Sequence, residues 1–289
     1  MTNNENITAA TATVVATTGL TLVLAGTGKT GRRVAERLEA RGVPVRIGSR
    51  SAATGFDWTD ESTWAPALEG VAAVYLAYVP DLAVPGAPEA VRAFTGAAVA
   101  AGVRRIVLLS GRGEEEARAS EDIVREAGPE WTIVRASWFA QNFTEDYLLE
   151  PVLGGEVVLP AGDVPEPFVD AGDIADVAVA ALTEDGHAGR VYELTGPRAL
   201  TFAEAVAEIG RAAGREIAYV PVPLEDYAAV LKEHQVPQEY VGFLTYLFGT
   251  VLDGRNAEPQ DGVRRALGRE ATDFADFAAA AAATGVWNA

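Results

Sequence analysis

Leu20-Thr21-Leu22-Val23-Leu24-Ala25-Gly26-Thr27-Gly28-Lys29-Thr30-Gly31-Arg32 sets an unbroken apolar run directly against a glycine-rich turn. An apolar run without alternation is the pattern of a strand buried on both faces of a parallel sheet. The turn reads G-x-G-x-x-G. Gly26 permits the tight bend, Gly28 lets the backbone approach a pyrophosphate, and Gly31 allows the following helix to pack closely on the strand. Residues 32–41 continue as a helix, with Val34 and Leu38 on one face and Gly42 as the stop. The free N–H groups and positive dipole at the helix start suit an anion. Strand, glycine turn and helix in that order are the context in which this pattern indicates a dinucleotide site rather than a structural turn.

Outward from this unit the same rhythm repeats. Strands are predicted over residues 43–48, 72–79, 103–109 and 131–136, with helices over 88–101 and 114–127 between the later ones. Regular alternation of this kind predicts an α/β fold, a Rossmann-type doubly wound parallel sheet. After Ser137 the rhythm changes. A helix is expected over 139–149, then a Gly/Pro-rich stretch over 154–167, a helix opened by Asp173, and a strand near 190–196 returning to the sheet. Thr201 and Glu204 form a T-x-x-E capping box ahead of a helix over 202–213. Residues 224–233, 238–252 and the alanine-rich end read as helices. The expected organisation is a disordered leader over 1–19, a nucleotide-binding domain over 20–137, and a smaller, mostly helical substrate region over 138–289.

Composition narrows the function. With 23 Lys+Arg against 41 Asp+Glu, the chain of 289 residues carries a formal charge of -18. Such a surface repels phosphate backbones and anionic lipid, so nucleic acid and membrane are not expected partners. There is no cysteine, which excludes disulfides, thiolate metal sites and a cysteine nucleophile. His187 and His234 are the only histidines and stand in no metal motif, so no metal site is expected. The N-terminal segment has no basic start, and no run approaches the roughly 18 apolar residues of a span. A cytoplasmic protein with a small-molecule substrate is the expectation.

The second strand ends in Ile47-Gly48-Ser49-Arg50-Ser51, where an NAD site would usually place an acidic residue for the ribose. A guanidinium flanked by hydroxyls suits the extra 2′-phosphate, so NADP(H) is expected in preference to NAD(H), with Lys29 and Arg32 as helpers. Phe56-Asp57-Trp58 follows, with Asp57 and Trp58 either lining the adenine or making a turn around a buried aromatic. Tyr78 and Pro80, and Ser110 after the next strand, fall at the carboxyl edge of the sheet, where this fold places its reacting groups. Arg135, Trp138, Phe139, Asn142 and Phe143 reach the same edge, and Phe168 closes the pocket they wall. Asp170 and Asp173 serve as loop and N-cap residues. Catalytic candidates are Ser110, Asn142 and Tyr78. Only Lys29 and Lys232 are lysines, and no Tyr-x-x-x-Lys pair occurs. Its absence disfavours alcohol oxidation and epimerisation, which move a proton on oxygen, and favours hydride transfer to an electron-poor acceptor.

The order GTGKTG, SRS, FDW, AVYLAYVP, AGVRRIVLLS, WTIVRASWFAQNF, PFVDAGDIADVA and LTGPRALTFAEA resembles the NmrA-like branch of atypical short-chain dehydrogenases, from about Thr21 to Gly214. Within it the chain looks like the group of festuclavine and agroclavine dehydrogenases. The resemblance implies an NADP(H)-binding domain, a small substrate domain and no catalytic Tyr/Lys pair. It implies that Gly26, Thr27, Gly28, Lys29, Thr30 and Gly31 hold the pyrophosphate and that Ser49, Arg50 and Ser51 hold the 2′-phosphate. Tyr78 and Pro80 would flank the nicotinamide ribose, and Trp138, Phe139 and Asn142 would line the substrate cavity. Ala136 and Ala140 replace the group's Pro and Met, implying a roomier pocket and a substrate other than an ergot alkaloid.

Three functions compete. The first is an NADPH-dependent reductase of an iminium, quinone or enone. The second is a non-catalytic NADP(H) sensor that binds a protein, and the third is a non-redox isomerase or cyclase using the same pocket. A sensor requires an exposed apolar docking face. Tyr227, Tyr240, Phe243, Tyr246, Leu247 and Phe248 are the segment from which one would be built, against the alternatives of a substrate-domain core or a homodimer contact.

Overall fold

A computed structural model describes residues 19–288; the leader expected over 1–19 falls outside them except for Gly19. Six strands form one sheet in the order β2-β1-β3-β4-β5-β7. They are β1 (Leu20–Leu24), β2 (Val45–Gly48), β3 (Val71–Leu76), β4 (Arg105–Gly111), β5 (Glu130–Ala136) and β7 (Arg190–Leu194). Every pairing between them is parallel, with Thr21 opposite Val45 and Ser110 opposite Arg135. A short parallel pair, β6 (Glu156–Leu159) with β8 (Ala218–Pro221), forms a second sheet.

Alternate residues of the long strands enter two different cores, which is why these strands read as continuous apolar runs. Val23, Tyr75, Val107 and Val134 face α1 (Lys29–Ala40) and a helix from the far half of the chain. Leu22, Val74, Ile106 and Ile133 face the opposite way, toward α2 (Trp64–Leu68), α3 (Ala87–Ala100) and α4 (Ala117–Glu126). Strand order reverses between β1 and β3, so the loops leaving their carboxyl ends part and leave a crevice there.

The substrate region is less separate than its boundary at 137 implied. Beyond α5 (Asn142–Glu145) and α6 (Leu149–Gly154), α7 (Ala171–Thr183) packs on α1 and supplies Ile174, Ala178 and Leu182 to the sheet's core. Asp170, not Asp173, is its N-cap, accepting from the Gly172 amide. Asp173 is buried instead and accepts from the Thr272 amide at 2.7 Å. The expected returning strand is β7, parallel to β5. The capping box of Thr201 and Glu204 is present at α8 (Phe202–Ala213). Then come α9 (Leu224–Glu233), α10 (Gln238–Tyr246), a π-helical turn over Leu247–Val251, α11 (Gly262–Leu267) and α12 (Phe274–Ala283). A third core, including Phe143, Phe168, Phe202 and Trp287, joins α8 and α12 to the small sheet.

One buried ion pair ties the main sheet to a helix. Arg135 donates to both oxygens of fully buried Glu121 at 2.7 and 2.6 Å, and also to Glu193 at 3.2 Å. Ser110 donates its hydroxyl proton to the same Glu121 at 2.8 Å. Removing one partner leaves the other charge uncompensated in a dry site, which costs about 3–5 kcal/mol. Arg135→Leu is expected to lower unfolding free energy by about 3 kcal/mol in urea titration. Cofactor affinity of the folded variant should be unchanged; a loss of ligand affinity without loss of stability would return Arg135 to the pocket.

Candidate active site

The glycine turn behaves as a steric device. A Cβ at Gly31 would lie 2.2 Å from the Ala25 carbonyl oxygen, and one at Gly26 would meet Ile47 and the Val23 carbonyl at 2.8 and 2.9 Å. Gly28 is the N-cap of α1 and supplies no side chain, so the first-turn amides of Lys29, Thr30 and Gly31 face the crevice without a protein cap. That is an anion seat made of backbone. Thr27 and Gly28 are exposed on it, while Thr30 is buried against the sheet.

The end of β2 lies beside this turn, since the Gly26 amide donates to the Gly48 carbonyl at 3.4 Å. Ser49, Arg50 and Ser51 follow, with the two serine hydroxyls 3.4 Å apart. Arg50 is exposed, and no hydrogen bond joins it to another described residue. Its charge does reach Asp57, whose carboxyl is held below the ordinary range first by the Thr59 amide and hydroxyl and then by Arg50. The expected helpers turn elsewhere. Lys29 Nζ donates to Asn142 Oδ1 at 2.8 Å and to Asp146, and Arg32 pairs with Glu145. Among the described residues, Arg50 is therefore the cation beside this turn that makes no hydrogen bond. Trp58 packs its ring 4.8 Å from that of Tyr78, so the segment after β2 reaches the edge of the crevice.

A cavity of about 240 Å³ opens at the carboxyl ends of β3, β4 and β5. Tyr78, Pro80, Ser110, Trp138, Phe139 and Asn142 all line it, together with Lys29 from the first turn of α1. The Val79–Pro80 peptide is cis. Trp138 donates its indole N–H to the Tyr147 hydroxyl at 3.1 Å and packs on Phe248. Three expected pocket residues do not line the cavity. Arg135 turns instead to Glu121 and Glu193, whose carboxylates compensate its charge on the α4 and β7 side. Phe143 and Phe168 pack on each other and on Phe202 and Phe274 in the third core. Ala140 belongs to that core as well, so its small side chain adds no room to the cavity, whereas Ala136 does border it.

Sequence reasoning missed much of the wall. Tyr240, Phe243, Leu244 and Leu247 close the cavity from α10 and the π-helical turn. These belong to the segment considered as a docking face. The large exposed apolar side chains among the described residues are Val79, Val99, Val158 and Val230, scattered singly, so no such face forms there. Also missed were the carboxyl groups of Asp81, Glu114, Asp146 and Glu166 in the lining. Glu166, only 2% exposed, accepts from the Trp138 amide at 3.4 Å. Burial raises its pKa to about 7 against the pull of that amide and of Arg112. It sits in a Gly/Pro-rich loop whose local pattern carries no signal for a site.

Residues 25–185 match the NAD(P)H-binding family. The chain is 34% identical over 280 residues to the uncharacterized oxidoreductase YesF of Bacillus subtilis, covering 92% of this chain and 97% of that one. It is 32% identical over 283 residues to NAD(P)H azoreductase of Xenophilus azovorans, covering 91% and 98%. Festuclavine dehydrogenase of Aspergillus fumigatus is 30% identical over 282 residues, covering 89% and 96%. Among solved structures, triphenylmethane reductase of Citrobacter sp. complexed with NADP(H) superposes with a TM-score of 0.73, at 20% identity over 91% of this chain and 99% of that one. That last likeness is one of fold.

Glu166 leaves a mark on stability. Its folded pKa lies above the ordinary 4.5, so as pH rises from 4.5 toward 7 the unfolded chain ionises this group while the folded one retains its proton. Stability contributed by the protonated form is thus complete below about 4.5 and lost by the time pH passes 7. At 1.36 kcal/mol per unit the span is worth about 3 kcal/mol. Glu166→Gln has no such term. Its stability relative to the parent, from urea titrations at about pH 5 and pH 8, should improve by roughly 2–3 kcal/mol across the interval. A constant difference would show that Glu166 is ionised throughout.

Proposed function

Because the chain belongs to the NAD(P)H-binding family, in its NmrA-like branch of atypical short-chain dehydrogenases, we propose that it is an NADPH-dependent reductase of a small conjugated acceptor. Iminium ions, quinones and enones are the classes that fit, and the name of the azoreductase relative adds electron-poor azo compounds. The observation that carries the reading is the junction at Lys29. This residue begins the helix whose uncapped turn suits a pyrophosphate, and its ammonium lies in the wall of an aromatic-lined cavity. A cofactor on the first is brought against a substrate in the second.

Bound NAD(P)H supplies the hydride. The chain's own part is to bind and orient. The backbone amides of residues 29–31 hold the pyrophosphate, and Arg50, with Ser49 and Ser51, takes the 2′-phosphate. Trp138, Phe139, Tyr240 and Phe243 stack a flat acceptor and exclude water from it. Lys29 and Asn142, bonded to each other, form the polar boundary between the two compartments. Tyr240, Phe243 and Leu247 turn into this cavity, which favours a reductase over a sensor that presents them to a protein.

Arg50→Ala tests the cofactor preference. NADPH affinity, measured by calorimetric titration, should fall by about 1.5–3 kcal/mol while NADH affinity stays within a factor of about two. Equal weakening of both dinucleotides would remove Arg50 from the 2′-phosphate site. No binding of either would remove the reductase reading altogether.

A further inference from the structure

Two carboxyl groups in the cavity wall have no part in the binding roles above. Asp81 follows Pro80 beyond the carboxyl end of β3, and Glu114 lies just beyond Gly111 at the end of β4. The strands are neighbours, so their loops meet over the crevice and the two side chains line the same cavity, each in the other's field. Asp81 is half-buried and accepts from the Ala83 amide at 2.8 Å. Glu114 is 8% exposed, and its Oε2 is buried with no hydrogen-bond partner. Space for it is built in: a Cβ at Gly111 would lie 2.0–2.2 Å from the Glu114 carboxyl atoms.

No cation among the described residues bonds to either group. Arg112, an arginine of the lining, is spent on Glu193 and on the Asn256 and Glu258 carbonyls at 3.2, 2.6 and 2.9 Å. From the start of α4 comes Glu116, a further negative charge, accepting from the Tyr246 hydroxyl at the end of α10. Across the cavity stand Glu166 and the Lys29–Asp146 pair. Arg255 donates to the Gly113 carbonyl at 3.3 Å but pairs with Asp253. Two carboxyls held together without a counter-ion do not both ionise; one proton is shared between them. Burial, followed by the charge of Asp81, raises the Glu114 pKa well above the ordinary range, and burial raises Asp81 too.

We propose that Asp81 and Glu114 hold one proton between them and deliver it to the acceptor atom that receives an electron pair on hydride transfer. This rests on the reductase reading. With a quinone or enone, hydride from NAD(P)H forms the new bond to carbon, and the π pair moves to the carbonyl oxygen. The shared carboxyl O–H bond breaks as an O–H bond forms on that oxygen, and solvent then returns one proton to the pair. The sum is acceptor plus NAD(P)H plus H⁺ giving reduced acceptor plus NAD(P)⁺. A cationic acceptor, neutralised by the hydride itself, needs no such proton.

That difference supplies the test. Turnover of menadione, a neutral quinone, and of crystal violet, a cationic triarylmethane dye, is measured for the parent, Glu114→Gln, Asp81→Asn and Glu166→Gln. In the first two variants the menadione-to-dye ratio should fall about 100-fold, the scale of lost general acid catalysis. In Glu166→Gln the ratio should hold. NADPH binding by calorimetry reports that each variant is folded. Infrared difference spectra of the unloaded proteins in a Glu166→Gln background, which removes the other carboxyl still protonated near neutral pH, should show a protonated carboxyl band that Glu114→Gln removes. An unchanged ratio in Glu114→Gln, a ratio loss confined to Glu166→Gln, or the absence of that band overturns the proposal. A parent that reduces neither probe overturns the reductase reading, and the infrared band then decides separately whether the pair holds its proton.

Discussion

Contact between the start of α1 and the end of β1 governs this molecule. With only hydrogen at position 31, the helix approaches the Ala25 carbonyl more closely than any side chain would allow. The helix axis is thereby aimed along the strand's exit, and its uncapped amides point into the crevice. Ala25 adopts a left-handed backbone at φ 49°, a conformation costing about 1–2 kcal/mol outside glycine, so the turn is made under some strain. Everything used for binding is referred to this junction. The loop after β2 is bonded to it through Gly48, and the cavity is bonded to it through Lys29 and Asn142.

Charge is handled differently in the two halves of the crevice. A formal charge of -18 opposes an anionic ligand at long range, and screening confines that opposition to about 8–10 Å in physiological salt. Local donors thus decide the side proposed for the pyrophosphate, where, among the described residues, the first turn of α1 has no side-chain cap and exposed Arg50 makes no hydrogen bond. On the cavity side the cations of the lining are already committed: Arg112 to the loop at 256–258, Lys29 to Asp146. What remains open to a ligand there is a set of carboxyl groups whose charge is costly to bury. A cavity of this kind is suited to giving protons or meeting positive charge, and poorly suited to carboxylate or phosphate substrates.

The parts of the fold legible in sequence were those decided by neighbours along the chain. Unbroken apolar runs marked β1, β3 and β4, glycines marked the first turn, and the Thr201–Glu204 box marked α8. The strands β6 and β8 escaped because each has four residues and neither shows a period distinct from a loop. The helix expected over 139–149 is broken into two short pieces, since the chain there must bend to bring Asn142 to Lys29 and Phe143 into the third core. Cavity residues on the strand ends, Tyr78, Ser110 and Trp138, were legible because sheet topology alone assigns that edge. Arg135 was misread because alternation along β5 gives its face, whereas its destination was set by Glu121, on α4. Tyr240, Phe243, Asp81, Glu114 and Glu166 were invisible for a related reason. Tyr240 and Phe243 sit on a helix whose packing face the sequence leaves open, Asp81 and Glu114 on loops just beyond β3 and β4 whose course only tertiary packing sets, and Glu166 on a loop with no pattern of its own.

The misread arginine shows how the cavity keeps its shape while carrying unpaired acid. Ser110, Glu121, Arg135, Glu193 and Arg112 form a chain of charge-assisted hydrogen bonds from β4 through α4, β5 and β7 to the loop at 256–258. Arg112 borders the cavity, and its backbone carbonyl accepts from Asn256 at 3.0 Å, closing the loop against the wall. Within this chain each buried carboxylate has a guanidinium, so burial is offset by pairing. Glu114, two residues beyond Arg112, is outside the network and receives no such partner. A sequence under selection for stability alone would be expected to place a cation or an apolar residue at 114. Leaving a carboxyl there, over a glycine that makes room for it, trades stability for a proton held at the reacting edge of the sheet.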